Sequence, residues 1–430
     1  MFTSPPWRSA LRFAAGVLTC AALLAILLAV AFPCAARTAA PATIPVTAAP
    51  GARSRTCVWP DWNAFKRPSI SPDGRVIDAS TPKLISTSEG QSYALFFSLV
   101  ANDRATFSKV LTWTENNLAK GDLTTHLPAW LWGKQIPADA ASAASAPLPA
   151  SGVQTTQTWT VLDPNPASDS DLWIAWTLLE AGRLWQRRHY TVLGMLMARN
   201  IVREETALLP GLGRTLLPGP AGFTPGPGRW RLNPSYVPLQ LMRSMASELP
   251  NEPEWSALLD TSARLVNETA PHGFSPDWVE FRTNLGFAPD GKTKAEGSYD
   301  AIRVYLWAGM LDPADPLRAA TLRTFAPLAE HVAAQGYPPE RLDTQTGALG
   351  PNAGNGGFSA AVAPYLMALG RTDLTATQVA RSRSMAKEAP PGYYSDVLML
   401  FGLGYLDGLY RFDGNGRLVP AWMSGCPTPH

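Results

Sequence analysis

Carboxylate side chains stand at the start of three strongly apolar segments of the sequence. They are Glu89, before residues 91–100; Asp169 and Asp171, before residues 172–181; and Asp300, before residues 301–311. A helix that is apolar on nearly every side must be buried. If these helices lie side by side and run the same way, their acids gather at one end. Two carboxylates across a cleft can hydrolyse a glycosidic bond, because one protonates the leaving oxygen and the other activates water.

These acids also have a purely structural interpretation. An acidic side chain in the first turn of a helix complements the helix dipole, and Ser88 with Gln91 fits a capping box for the helix that follows. Either Asp169 or Asp171 could be a helix cap in the same way. The dipole also lowers a carboxyl pKa, whereas a general acid such as Glu89 would need a raised one. Local spacing by itself therefore favours the structural interpretation for these two segments.

Asp300 differs from the other acids in having a cation at helical spacing. Arg303 follows it by three residues, which places both side chains on one face of a helix. A nearby guanidinium favours the ionised carboxylate, and a general base must be ionised before the reaction begins. A structural ion pair would have the same spacing, so this segment leaves both interpretations open.

Short polar or glycine-containing turns precede apolar segments at six places along the chain. They lie at residues 86–90, 167–171, 233–236, 297–300, 356–359 and 393–396. Amphipathic segments such as residues 190–205 alternate with them, and one apolar face is enough for a helix in an outer layer. The pattern predicts an all-α fold with minor β elements in loops, and the alternation of buried and amphipathic helices suggests an (α/α)6 barrel of six inner and six outer helices. Periodicity alone does not establish that the ring closes. Residues 137–156 indicate a surface insertion, and residues 210–229 a long functional loop.

The N-terminus has the pattern of a secretory signal. Arg8 and Arg12 precede an apolar run, residues 13–32, and small residues follow up to Ala36, where cleavage is expected. We therefore expect a signal peptide (1–36) and a flexible leader (37–56), followed by a single catalytic domain (57–430). A signal peptide would place this domain in the periplasm or outside the cell. Because about 20 apolar residues can also span a bilayer, an uncleaved anchor is the alternative.

Composition and cysteine usage narrow the class of protein. Apolar residues make up 46% of the chain and the formal net charge is +2, so a large core is expected and a nucleic-acid partner is not. Cys57 and Cys426 are the cysteines outside the signal, and they could pair in an oxidising compartment or remain thiols. The wide spacing of cysteines and histidines offers no metal-binding motif.

Five ordered motifs resemble glycoside hydrolase family 8. They are TSEGQSY at 87–93, PAWLWG at 128–133, ASDSDLW at 167–173, RLNPSY at 231–236 and GSYDAIR at 297–303. The resemblance covers roughly residues 57–406 and implies an (α/α)6 barrel and an inverting mechanism without metal or cofactor. It further implies a secreted endo-β-1,4-glucanase with β-1,4-glucan as substrate, acting alongside bacterial cellulose synthesis with the cellulose synthase or export machinery as a partner.

The resemblance also assigns roles to individual residues. It implies that Glu89 is the proton donor, that Asp300 is the base that activates water, and that Asp169 holds the sugar at the point of cleavage. The implied substrate-binding residues are Trp130, Trp132, Tyr236, Tyr299 and Arg303. Ser170 replaces the usual Ala or Gly between the two acids of its motif, which is a small departure.

Two other functions fit the same motifs. Family 8 also contains chitosanases and xylanases, and a chitosanase would be expected to have a cluster of acids for its cationic substrate, which the sequence lacks. A non-catalytic glucan-binding or assembly subunit of a cellulose secretion system is the alternative outside enzymes. Loss of Glu89 or Asp300 would indicate such a subunit, and both are present.

Overall fold

Helices dominate the protein, as the spacing of its apolar residues predicts. The computed structural model describes residues 57–135, 158–389 and 392–426, which contain thirteen α-helices and twelve short strands. The helices are α1 (Pro60–Ser69), α2 (Ser88–Val100), α3 (Arg104–Leu118), α4 (Ser168–Trp185), α5 (Arg188–Glu204), α6 (Leu239–Glu248), α7 (Glu254–Glu268), α8 (Ala301–Gly309), α9 (Arg318–Thr324), α10 (Ala326–Gln335), α11 (Gly356–Ala368), α12 (Thr372–Glu388) and α13 (Tyr393–Leu406).

The strands are two to nine residues long and lie in the connections between helices. They are β1 (Ser86–Thr87), β2 (Ala129–Gln135), β3 (Thr158–Pro166), β4 (Thr206–Leu209), β5 (Gly213–Leu216), β6 (Arg229–Leu232), β7 (Val279–Arg282), β8 (Gly286–Pro289), β9 (Glu296–Gly297), β10 (Leu342–Asp343), β11 (Tyr410–Phe412) and β12 (Leu418–Pro420). All pairings are antiparallel, with three-stranded sheets β1-β2-β3 and β6-β7-β8. Because β5 pairs with β4, the predicted loop 210–229 contains a strand rather than being irregular throughout.

The helices form two concentric layers. The inner helices α2, α4, α6, α8, α11 and α13 each pack against the next in the series. Aromatic contacts close the ring between α2 and α13, where the rings of Phe96 and Phe97 lie 5.3 and 4.6 Å from that of Phe401. The outer helices pack behind them as α3, α5, α7, the pair α9 and α10, α12, and α1 against α13. This arrangement confirms the predicted (α/α)6 barrel.

The difference between inner and outer helices follows from their apolar pattern. In α4 sixteen residues, nearly all of the helix, are buried, whereas α5 buries only one face that includes Met197 and Ile201. Gly194 lets the two helices approach closely, because a Cβ at this position would lie 2.8 Å from the carbonyl oxygen of Ala175. The amphipathic segment 190–205 is therefore an outer helix, as predicted.

Four strands end immediately before the segments that carry the candidate site. β1 leads into α2, β3 into α4, β6 into a 3-10 turn at Pro234–Tyr236, and β9 into the residues before α8. Because the sheets pin these strands to neighbouring loops, they fix where the first turns of the inner helices lie.

A disulfide joins Cys57 to Cys426, with their Cα atoms 5.2 Å apart, so the two ends of the described chain are covalently linked. Residues 52–430 form one structural unit. The predicted signal or anchor, the leader and the insertion 137–156 lie outside the described residues. Among the described helices, none is long and apolar enough to cross a membrane.

Candidate active site

Three acids from three inner helices converge on one arginine. Arg303, on α8, donates from Nη1 to Glu89 and from Nη2 to Asp300, the latter over 2.7 Å. Its Nη1 also lies 3.9 Å from an oxygen of Asp169. The arginine is only 3% exposed, and Ser235 accepts a further hydrogen bond from Nη2 over 3.0 Å. The structure thus brings together the acids that the sequence placed at the starts of α2, α4 and α8.

Glu89 is free to face Arg303 because another residue caps α2. The hydroxyl of Thr87 accepts from the backbone N–H of Gly90 over 3.0 Å, and Thr87 is the N-cap. The capping box predicted for Ser88 and Gln91 is therefore wrong. Gln91 is buried, and its amide binds loop and α3 atoms instead of the helix start. Tertiary partners take the side chain that local spacing assigned to capping.

The glycine after Glu89 allows another helix to pack against this turn. A Cβ at Gly90 would lie 2.2 Å from the hydroxyl oxygen of Tyr393. No side chain fits in that space without moving the tyrosine. The N-terminal turns of α2 and α13 therefore meet beside Glu89, and this contact limits where its backbone can lie.

Asp169 is the most buried of the three acids that surround Arg303. It is 3% exposed and accepts from the backbone N–H of Ser170 over 2.8 Å. Burial raises the pKa of Asp169 to about 7, the charge of Glu89 adds to the rise, and Arg303 opposes it. An acid in this environment is partly protonated near neutral pH and has little access to solvent.

Behind Asp169 lies a second pair of carboxyl groups, Asp171 and Glu205. Both are fully buried, and none of their four carboxyl oxygens has a hydrogen-bond partner among the described residues. Burial raises the pKa of each well above its usual value, and the charge of Asp171 raises that of Glu205 further. Burial without a cationic partner favours the protonated form of a carboxyl group. Asp171 makes no capping hydrogen bond, so it does not cap α4.

Asp300 is held at its main chain by a residue that the sequence analysis did not identify. Oδ1 of Asp277 accepts from the backbone N–H groups of Ser298, Asp300 and Ala301, over 2.7, 3.0 and 2.7 Å. These are donors at the start of α8 that have no partner within the helix. No local pattern could reveal this cap, because Asp277 lies more than 20 residues before the helix that it caps.

Opposing influences act on the carboxyl of Asp300. Burial raises its pKa above the usual value, while the charge of Arg303 lowers it and that of Glu89 raises it. The polar side-chain groups of Trp278 and Asn233 nearby also lower this pKa. Arg303 thus acts in the direction predicted from its spacing, but burial is the larger influence.

The two predicted substrate-binding tyrosines differ in how close they lie to the buried acids. The ring of Tyr236 lies 5.9 Å from the guanidinium carbon of Arg303. Tyr299 is 38% exposed, and its hydroxyl donates to Glu340 over 2.8 Å. Tyr236 therefore lies at the centre of the site, while Tyr299 presents part of its ring to solvent beside Asp300.

The two predicted tryptophans on β2 differ in their surroundings. Trp130 is 36% exposed, and its strand pairs with β1 just before Glu89. Trp132 packs against Trp113 at 5.3 Å and Trp159 at 5.1 Å between ring centroids. Trp130 thus has the more accessible ring beside the acids, whereas other aromatic rings already contact Trp132.

The arrangement separates two accessible carboxylates from a buried set. The side chains of Glu89 and Asp300 keep 26% and 30% of their surface exposed, whereas those of Asp169 and Arg303 keep 5% and 4%. Glu89 and Asp300 bind different amino groups of one guanidinium, so they face the same space from two sides. Such a pair can protonate one atom of a bound substrate and activate a water at another.

The family model "Glycosyl hydrolases family 8" matches residues 43–408. An endoglucanase of Xanthomonas axonopodis pv. citri (strain 306) is 47% identical over 379 residues, 88% of this chain and 93% of the relative. An endoglucanase of Escherichia coli (strain K12) is 44% identical over 377 residues, 87% and 94% of the two chains. The crystal structure of an endo-1,4-D-glucanase from Vibrio fischeri ES114 aligns with a TM-score of 0.78 and 44% identity, covering 85% of this chain and 100% of that one.

Proposed function

Because this chain belongs to glycosyl hydrolase family 8 and is an endo-1,4-glucanase, we propose that it cleaves cellulose-like β-1,4-glucan internally with inversion. The observation that carries the proposal is the convergence of Glu89 and Asp300 on Arg303 from separate inner helices. Both carboxylates are partly open to solvent, as two groups that act on an entering polysaccharide must be. Glu89 is the general acid, and Asp300 is the general base that activates the attacking water.

Asp169 has the surroundings of a residue that binds sugar and not of the base. It is 3% exposed, so a water molecule and a sugar ring cannot both reach it easily. Its pKa of about 7 keeps a proton close to Glu89 in the resting site. A partly protonated carboxyl can both donate to and accept from sugar hydroxyls. Asp169 therefore holds the sugar at the point of cleavage, where such hydrogen bonds strengthen in the transition state.

Aromatic rings around the acids supply the surface for the glucan. The flat face of an aromatic side chain matches the apolar C–H face of a glucose ring. Trp130 and Tyr299 expose 36% and 38% of their surface, and the ring of Tyr236 lies 5.9 Å from the guanidinium carbon of Arg303. Trp132 contributes through its contact with Trp159 and Trp113. Because glucan chains are long and regular, binding along such a surface suits cleavage within the chain.

Export and a role in cellulose synthesis complete the proposed function. The Cys57–Cys426 disulfide supports a periplasmic or secreted location, because disulfides persist in oxidising compartments and are rare in the cytosol. A glucanase outside the cytoplasm can reach β-1,4-glucan as the polymer leaves the cell. We therefore include the cellulose synthase or export machinery as a partner, to be tested by co-purification with the tagged enzyme.

The function is tested by comparing substrates and following the product by proton NMR. Carboxymethylcellulose and barley glucan should release reducing ends, and the first product should carry the α anomer, because a single displacement inverts the β linkage. Glu89→Gln, which keeps the shape of the side chain, should lower the rate by about 10² to 10⁴, the usual effect of one proton-transfer group. Preference for xylan or chitosan, initial β anomer, or glucan binding without cleavage would contradict the proposal.

A further inference from the structure

We infer that the first turn of α13, residues 393–395, sets the position of the catalytic base relative to the acid. In this spacer turn, Tyr394 bonds to the peptide group that precedes Asp300. Tyr393 packs against the residue that follows Glu89. The inference rests on the proposed roles of the two acids. Inversion requires their carboxyls to stand at a separation that admits a water molecule, and they stand at the starts of different helices.

On the side of the base, the spacer turn holds one peptide group. The hydroxyl of Tyr394 donates to the main-chain carbonyl of Tyr299 over 2.6 Å. The N–H of the same peptide group belongs to Asp300, and it donates to Asp277 over 3.0 Å. A peptide group is planar, so these two bonds fix the direction in which the chain enters Asp300. The side chain of Asp300 adds no restraint of this kind, because it makes no capping bond at the start of α8.

On the side of the acid, the spacer turn meets the first turn of α2. A Cβ at Gly90 would collide with the hydroxyl oxygen of Tyr393 and would lie 3.3 Å from its Cζ. The N–H of Gly90 donates to the hydroxyl of Thr87, the N-cap of α2, over 3.0 Å. The turn that carries Glu89 is thus bonded to its own cap and packed against α13. Tyr393 therefore limits how closely the main chain beside Glu89 can approach α13.

The spacer turn is itself fixed by its neighbours. A Cβ at Gly357, in the first turn of α11, would lie 2.7 Å from the Cα of Ser395, so the first turns of α11 and α13 are in close contact. The ring of Phe65, on α1, lies 5.9 Å from that of Tyr393. Because α2 packs against it as well, the turn cannot shift without displacing another helix. The polar turn at 393–396 thus has a task in the site without supplying a catalytic acid.

The alternative role for Tyr394 is to bind sugar through its ring. This ring lies 6.1 Å from that of Tyr299, which presents part of its surface to solvent. A phenol has one hydrogen to donate, and that of Tyr394 is engaged by the Tyr299 carbonyl, which favours the positioning role. The two roles predict different results when the base is absent. A residue that binds sugar still acts without Asp300, whereas a residue that positions Asp300 does not.

The test introduces Tyr394→Phe into the wild type and into Asp300→Ala, and measures kcat and KM on a fluorogenic cello-oligosaccharide. In the wild type, kcat should fall about tenfold, because a displacement of about 1 Å can cost about 10²-fold in rate. KM should stay near its wild-type value, because the ring is kept. In Asp300→Ala the same change should have no further effect, since the group that it positions is gone. An equal loss in both backgrounds, or no loss in the wild type, would overturn the inference.

Tyr365→Phe is the matched control, because the Tyr365 hydroxyl also donates to a main-chain carbonyl, that of Leu322 on the outer helix α9, over 2.7 Å. It should leave kcat per folded enzyme unchanged. On the acid side, Gly90→Ala should lower kcat by displacing the Tyr393 hydroxyl, and adding Tyr393→Phe should restore most of it. A double variant as slow as Gly90→Ala alone would overturn the spacer turn. An Asp300→Ala enzyme with wild-type activity would instead contradict the role of the base, and with it the proposed function.

Discussion

Arg303→Met is the substitution with the most specific expected consequence for stability. The arginine is 3% exposed and is the cation at which Glu89, Asp169 and Asp300 meet. Methionine keeps much of the buried stem but removes the positive charge. The variant therefore leaves three neighbouring carboxylates without their shared partner, inside a site where burial already disfavours the ionised forms of Asp169 and Asp300.

The cost can be estimated from the exposure of the acids. Removing one partner of a buried ion pair costs about 3–5 kcal/mol. The side chains of Glu89 and Asp300 keep 26% and 30% exposure, so water can relieve part of their charge, and Asp169 alone is almost fully buried. The lower end, about 3 kcal/mol at pH 7.5, is therefore expected. Activity should be lost as well, because all three acids are displaced.

The destabilisation should depend on pH with a defined sign. Burial raises the folded-state pKa of Asp169, to about 7, and that of Asp300, while Arg303 lowers both. Without Arg303 these pKa values rise further, so the folded variant binds more protons than the folded wild type. A carboxyl with a raised folded pKa loses stability as pH rises through the window between its unfolded and folded values. The difference between variant and wild type should therefore be greatest above pH 7 and shrink toward pH 4.5.

Urea denaturation followed by tryptophan fluorescence, at pH values from 4.5 to 8, measures this difference. Each additional proton bound by the folded variant changes the free energy of unfolding by about 1.4 kcal/mol per pH unit. Leu306→Ala is the control, because Leu306 is fully buried on the same helix and its loss costs about 2–5 kcal/mol without any change in charge. A cost for Arg303→Met that is as independent of pH as that of Leu306→Ala would refute the electrostatic account.

Two further predictions concern the roles of the acids and the location of the protein. Azide should partly restore turnover of an activated glucoside by Asp300→Ala, yielding an inverted glycosyl azide, because an anion in the vacated space needs no base. It should not restore Asp169→Ala, and rescue of Asp169→Ala alone would reverse the assignment. Mass spectrometry of cell fractions should find the mature protein outside the cytoplasm with its N-terminus at or near Arg37 and Cys57 oxidised. Intact protein in the membrane fraction would favour the uncleaved anchor.

Local periodicity was sufficient to predict an all-α protein with buried and amphipathic helices, whereas closure of the barrel was implied by the family resemblance. An apolar helix such as α4 has to be surrounded, and an amphipathic one such as α5 has to lie outside, so alternation of the two predicts concentric layers. The spacing of Asp300 and Arg303 likewise predicts a contact, which the structure shows at 2.7 Å. Asp300 and Arg303 lie three residues apart, about one helical turn, so their geometry follows directly from their sequence separation.

Other features depended on contacts between segments far apart in the chain. Asp277 caps a helix more than 20 residues away, burial and the charge of Asp171 raise the pKa of Glu205, and Thr87 replaces Ser88 as the cap of α2. The pKa of Asp169 also depends on residues from other helices, since burial and the charge of Glu89 raise it more than Arg303 lowers it. Each of these effects depends on which groups become buried together, and burial is a property of the packed barrel. For this reason the sequence could name the acids, whereas only the tertiary structure decided their ionisation and their support.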